Sequence, residues 1–233
     1  MMIITNIGGA TAYLEHKNKK FLFDPWLDDG IIYGSWHHYP PLNNSLSDVI
    51  DANYVYISHI HEDHCSLNTL KHINRDAEIV VMDRTPEIVN YVVNFFERNN
   101  LNFKKIHKIK PYQRYILSEE ISVTMLEADP ANHYNFLIDS AILIDWDGLV
   151  IYNANDCDPH EKSNHYILNN YKNIDLALLP YSGGSGYPAC YRNLTHDEKM
   201  LERQKIIDSS IERLKRNCID LNPKKIMPFA DQY

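Results

Sequence analysis

SHIHEDHC, residues 58–65, packs three histidines and two acids into eight positions. Ordinary loops are rich in Gly, Ser and Asn because their work is to turn the chain. A run of imidazoles and carboxylates instead offers metal ligands and proton carriers. His59 and His61 stand two apart, so an extended backbone turns both rings to one side. Asp63 and His64 follow once the chain bends. Such a loop can feed two ions, one from His59 and His61, the other from Asp63 and His64. A structural zinc site closes four ligands, usually with cysteine. Histidine–carboxylate sets leave a position for water, whose pKa a zinc ion lowers to about 7. The bland alternative is a solvated polar loop. The spacing H-x-H-x-D-H, directly behind the β-type run NYVYI (53–57), argues against it.

The rest of the composition sets bounds. A chain of 233 residues with 44% apolar content is expected to form one domain, 1–233, with a sizeable core. Its 31 acids against 23 bases give a net charge of −8, which argues against nucleic acid as a partner, since that needs a basic face. No apolar run approaches the roughly 20 residues of a membrane span, and the N-terminal stretch MMIITNIGGATAYLEH has no signal-peptide pattern. The four cysteines, Cys65, Cys157, Cys190 and Cys218, form neither a CxxC nor a dense framework. A reduced cytoplasmic protein is therefore expected, with no membrane partner.

Short β-type runs fill the first quarter of the chain: IITNI, TAYLEH, KFLFD and NYVYI. Ser66 reads as a helix cap, and AEIVVM (77–82) as a buried strand. Thr85-Pro86-Glu87 is expected to open a helix reaching about Arg98. From about 103 to 153 the β signal returns, with Asp147-Gly148 as a hairpin turn. IDLALLP (174–180) reads as another buried strand, running into the glycine loop YSGGSGYP. Thr195 and Glu198 form a capping box for the longest helix, whose Met200, Ile207, Ile211, Leu214, Cys218 and Leu221 make one apolar stripe. KKIMPF is a final strand. Strands 103–153 follow one another without helices between them, so a doubly wound sheet fits poorly. An α+β four-layer sandwich, with two facing sheets and helices outside, accounts for the order.

The chain resembles the metallo-β-lactamase superfamily. GGATAYLEHKNKKFLFDPWL (8–27) is similar to the family's opening strands with its loop aspartate, here Asp24. NANDC (153–157) is similar to the strand end whose aspartate, here Asp156, bridges two metals. The likeness is strongest to the metallo-β-lactamase-like domain of CMP-N-acetylneuraminate hydroxylases. It rests on FDPWL (23–27), GSWHHYPP (34–41), YISHIHEDH (56–64), Thr69-Leu70, Asp156-Cys157, GGSGYP (183–188) and PFA (228–230), in that order. The resemblance implies an αβ/βα metallo-β-lactamase sandwich and a ligand set of His59, His61, Asp63, His64, His133 and Asp156. His133, in DPANHYN, is the only histidine between 108 and 159. Asp129 is either an outer partner of a ligand or a turn residue before Pro130.

Two departures qualify it. Those hydroxylases carry a Rieske domain, which needs a CxH and a CxxH. Cys157-Asp158-Pro159-His160 is formally a CxxH, but no CxH occurs, so a self-contained hydroxylase is not expected. Family members also run on past PFA and complete the second metal site with a later histidine, so the domain is read as cut short at its C-terminal end, with a weaker second site. The thiols of Cys65 and Cys157, each next to a proposed ligand on extended chain, should face away from the metals, and Glu62 should face solvent. Trp36, His37 and His38 are candidates for a substrate pocket, as are Ser182, Gly183 and Gly184, whose backbone N–H groups can meet an anion.

The leading functional expectation is a binuclear metal-dependent hydrolase. In it a hydroxide bridging two divalent ions attacks an ester, lactone, amide or phosphoester, with Asp63 or Asp156 orienting it and taking up its proton. Zinc is the first choice of metal, with iron and manganese also admissible. The substrate is a small molecule; the resemblance suggests a sugar nucleotide or another anionic metabolite. Two alternatives stand beside it: a di-iron oxidase or hydroxylase component fed by a separate electron donor, and a metal-binding interaction module without turnover. Oligomeric state is not legible.

Overall fold

Residues 1–84, 88–157, 160–181 and 186–230 are described by the computed structural model. Two six-stranded sheets carry the chain. The first runs β1 (Ile3–Gly8), β2 (Thr11–His16), β3 (Lys19–Phe23), β4 (Tyr54–Tyr56), β5 (Glu78–Met82) and β6 (Lys105–Ile109), side by side in sequence order. The second orders β12 (Ile226–Phe229), β11 (Leu176–Pro180), β10 (Leu149–Asn153), β9 (Ser140–Trp146), β8 (Ile121–Glu127) and β7 (Arg114–Ile116). The pairs β1–β2, β2–β3, β7–β8, β8–β9 and β9–β10 are antiparallel, and the others are parallel, since only a crossover returns the chain in the same direction. The β3–β4 crossover carries α1 (Ile31–Gly34), and one short helix, α4 (His133–Ile138), interrupts the 103–153 run expected to hold strands alone, without reversing the β8–β9 pairing.

The period-2 alternation of the strands builds the layers. Phe21, Phe23, Tyr54, Tyr56, Val80 and Met82 of the first sheet face Val123, Met125, Ile142, Ile144, Trp146 and Leu178 of the second. Val55 of β4, Ile57 just after it, and Ile79 and Val81 of β5 turn outward onto Leu70 of α2 (Leu67–His72) and Val92 and Phe96 of α3 (Tyr91–Arg98). On the far side, Leu143, Tyr152 and Leu179 meet Ile167 of α5 (Glu161–Asn170) and Leu221 of α6 (His196–Leu221). This is the expected four-layer α+β sandwich.

Asp147 and Gly148 both take positive φ, 53° and 80°, the backbone a two-residue hairpin demands. The Thr195–Glu198 capping box forms at the head of α6. Two expectations shift. Helix α3 starts at Tyr91, capped by Asn90, and Thr85-Pro86-Glu87 lies outside the described residues. The α6 stripe packs only at its C-terminal end: Leu221 is buried, whereas Met200, Ile207 and Ile211 are exposed. No helix among the described residues is long and apolar enough to cross a membrane.

The topology collects functional loops on one edge. β1 and β3 are both antiparallel to β2, and β4 is parallel to β3, so the loops after β1, β3 and β4 leave from the same side. The loops after β10, β11 and β12 likewise leave one side of the second sheet, where β9 begins. Tyr56 Oη donates to the Ser140 carbonyl at 2.8 Å, and Ser140 Oγ donates to the Ser58 carbonyl at 2.9 Å. These two bonds staple the end of β4 to the start of β9, so both sets of loops share one rim.

Candidate metal centre

Asp24 anchors the rim. It is fully buried at the end of β3 and takes the left-handed backbone (φ 39°), a conformation Asp tolerates better than most residues. Its N–H donates to the Tyr56 carbonyl at 3.0 Å, and its own carbonyl accepts from Thr11 Oγ1 at 2.7 Å. The carboxylate accepts from Ser58 N (2.7 Å), Ser58 Oγ (2.8 Å) and His64 Nδ1 (3.0 Å). Because the Ser58 hydroxyl proton goes to Asp24, Ser58 Oγ is left to accept from His59 Nδ1, 2.9 Å away. One buried carboxylate therefore holds both His59 and His64 by Nδ1–H, so that in the neutral ring the Nε2 lone pair of each is left for another partner.

Those lone pairs converge. His59 Nε2 lies 2.9 Å from His61 Nδ1 and 3.9 Å from Asp156 Oδ2. His64 Nε2 lies 3.4 Å from Asp156 Oδ2 and 3.4 Å from Asp63 Oδ2. Donors bound to one tetrahedral ion at about 2.0–2.2 Å sit about 3.3–3.6 Å apart, which the two His64 spacings match and the two His59 spacings bracket. Among the described residues, His59, His64 and Asp156 form a group whose ligand atoms all lie within 4.8 Å of one another. His61 and Asp63 border it. Burial favours the neutral form of His59 and holds its pKa well below the usual value. Burial works against the charge on His64 too, but Asp156 and Asp63 outweigh it and raise that pKa strongly. Burial likewise pushes Asp63 and Asp156 up, and the facing His64 more than reverses it, keeping both carboxylates ionised. Three imidazoles and two carboxylates held this close can take up a cation, which would displace the His64 proton.

The structure brings together His59, His61, Asp63, His64 and Asp156. It does not bring His133 into the group: that residue is exposed at the first position of α4 (His133–Ile138). Asp129 accepts from Ala131 N at 2.9 Å, the turn role weighed for it. Cys65 and Cys157 are buried among apolar side chains. Burial raises the Cys65 thiol far above its ordinary range, an inert setting. Glu62 is exposed, and its Oε2 accepts from Ile32 N at 2.6 Å. His37, His38 and Trp26 line a cavity of about 300 Å³ on the same rim, together with Tyr39, Tyr181 and Phe229. Trp36 instead pairs with Ile31 through a single β-bridge. Ser182, Gly183 and Gly184, with Asp158, lie outside the described residues.

Two residues escaped the sequence reading. The Tyr134 hydroxyl lies 3.2 Å from His61 Nε2, and its ring stacks on that imidazole. Asp139, just before β9, is buried, and its Oδ1 sits 3.8 Å from His59 Nδ1. Burial and the nearby Asp156 push the Asp139 carboxyl up to about 7. Both contacts join residues more than seventy positions apart, so no local spacing announces them.

Comparison with known proteins agrees with this geometry. A family model described as the β-lactamase superfamily domain matches residues 19–187. The cytidine monophosphate-N-acetylneuraminic acid hydroxylase of Danio rerio is 25% identical over 245 residues, covering 99% of this chain and 38% of that protein. This chain thus spans well under half the length of that relative. Among solved structures, the diiron β-hydroxylase CmlA from Streptomyces venezuelae superposes with a TM-score of 0.68 at 17% identity, over 98% of this chain and 44% of that one. A metallo hydrolase from Ignicoccus hospitalis gives 0.66 at 17% identity, over 100% and 84%.

Proposed function

The chain belongs to the metallo-β-lactamase superfamily, and from that premise we propose that it is a metal-dependent hydrolase with two ion positions sharing Asp156. His59 Nε2, His61 Nδ1 and Asp156 would hold the first ion, and Asp63, His64 Nε2 and Asp156 the second. His133, exposed at the head of α4, lies outside both sets, and it is the next residue, Tyr134, that touches His61. Bound there, the ions would supply Lewis-acid polarisation of an ester, lactone, amide or phosphoester and an acidified water as nucleophile. The carboxylates of Asp63 and Asp156 would orient that water and accept its proton. The exposed Tyr134 hydroxyl can donate to charge developing on the substrate. The observation that carries the reading is the convergence of five nitrogen and oxygen donors, from loops of both sheets, with the two flanking thiols turned away.

The neighbouring cavity is the proposed seat for the rest of a small-molecule substrate. Its described lining has no Lys, Arg, Asp or Glu, so an anionic group, such as that of a sugar nucleotide, would sit at the ions and its uncharged portion in the cavity. A zinc-loaded preparation assayed on a panel of esters, lactones and phosphodiesters tests the proposal. Turnover that falls about 10²–10⁴-fold in Asp63→Asn supports it.

One observation favours a second reading. The similarity to a hydroxylase runs over 99% of the chain, and imidazole–carboxylate sets accept iron as readily as zinc. A di-iron oxidative component served by a separate electron donor would purify coloured and iron-rich, and would be silent on the hydrolytic panel. A fully loaded, colourless protein that is silent on the same panel would point to a binding module without turnover.

A further inference from the structure

Asp139 stands out among the buried polar groups because its place is heavily built while its charge is left unanswered. Arg84 locks the corner before β9: its guanidinium donates to the carbonyls of Phe136 (3.1 Å), Ile138 and Asp139 (2.9 Å). On the other side, Ser140 is held by Tyr56 and holds Ser58. Asp139 is thus fixed beside the residue that precedes His59. Yet Oδ1 is buried with no hydrogen-bond partner. Arg84 is the neighbouring cation, and it donates to main-chain oxygens rather than to this carboxylate oxygen. The nearest ring nitrogen is His59 Nδ1 at 3.8 Å, whose N–H is already directed at Ser58 Oγ.

A buried carboxylate oxygen without a partner is costly, so a state of the protein that supplies one is favoured. His59 offers that state. A cation on its Nε2 draws electron density through the ring and strengthens the Nδ1–H as a donor, and imidazoles that bind metals are usually backed by a carboxylate on the other nitrogen. Asp24 already backs His64 in this way at 3.0 Å. We propose that Asp139 is the corresponding carboxylate for His59, a positioning residue that stays uncompensated in the metal-free chain and raises the affinity of the first ion position. This rests on the reading of the rim as a metal centre.

The test is Asp139→Asn in the full chain at pH 8, measured by zinc competition against a chromophoric chelator and by thermal unfolding of the metal-free protein. The substitution keeps the shape and removes the charge. Zinc binding should weaken about 10–100-fold, while the metal-free protein unfolds at the same temperature as wild type or higher. A residue with a merely structural role would show the reverse: intact affinity and a lower unfolding temperature. Either unchanged affinity or a metal-free variant that is destabilised or fails to fold overturns the proposal. A wild-type chain that binds no zinc would instead refute the metal centre itself, so the two failures are distinguishable.

Discussion

At the scale of single residues, the site is a problem in proton placement. Asp24 sends Ser58 and His64 their orientations, Ser58 passes one on to His59, and the two Nε2 atoms then face His61, Asp63 and Asp156. His59→Ala and His61→Ala should each lose bound metal and activity together, read as metal per chain by elemental analysis. Cys65→Ser should keep most of both, since the thiol lies in the core behind α2; loss of metal there would contradict the facing argument. Tyr56→Phe removes the hydroxyl that ties β4 to Ser140 and should cost about 1–2 kcal/mol in urea unfolding. The candidate ligands of the H-x-H-x-D-H loop were legible because their spacing is local. Asp139, Tyr134 and the Tyr56–Ser140 staple were not, because each is made across the two sheets and leaves no trace in neighbouring residues.

At the scale of elements, the rim is where strands deliver their C-terminal ends, and the opposite edge is what keeps them in register. There Asp175 accepts from Val150 N at 2.9 Å and from Lys224 Nζ at 2.7 Å, tying together the starts of β10, β11 and β12. Burial disfavours its charge, but the Lys224 ammonium and the Val150 N–H hold its pKa below the ordinary value. A depressed carboxylate adds stability above its unfolded pKa of about 3.9, and loses it as the pH falls through the lower folded value. Asp175→Asn should therefore cost about 1–2 kcal/mol at pH 7, with the gap to wild type closing in acid; an equal deficit at pH 7 and pH 2.5 would contradict the assignment. Strand alternation and the Asp147-Gly148 turn were readable because they obey period 2 and a fixed turn chemistry. The α6 stripe misled, because periodicity reports which residues share a face and not whether anything covers it: Met200 and Ile211 remain about half exposed, at 49% and 46%.

At the scale of the whole molecule, the candidate centre is a joint between two sheets, with His59, His61, Asp63 and His64 from the first and Asp156 from the second. A ligand that binds only the folded arrangement stabilises it by mass action, so metal should raise the unfolding temperature of wild type and do so less in Asp156→Asn. The sandwich could be inferred from element order and motif order, whereas the pairing of the two rims depends on side chains meeting in space. The most direct test is the metal content of the purified chain, followed by titration of the stripped protein with zinc. The account predicts at least one tightly bound ion per folded chain, lost in a His59→Ala/Asp156→Asn double variant that still folds. A stripped wild-type chain that takes up no ion below millimolar zinc, or a double variant that binds as wild type does, would contradict it.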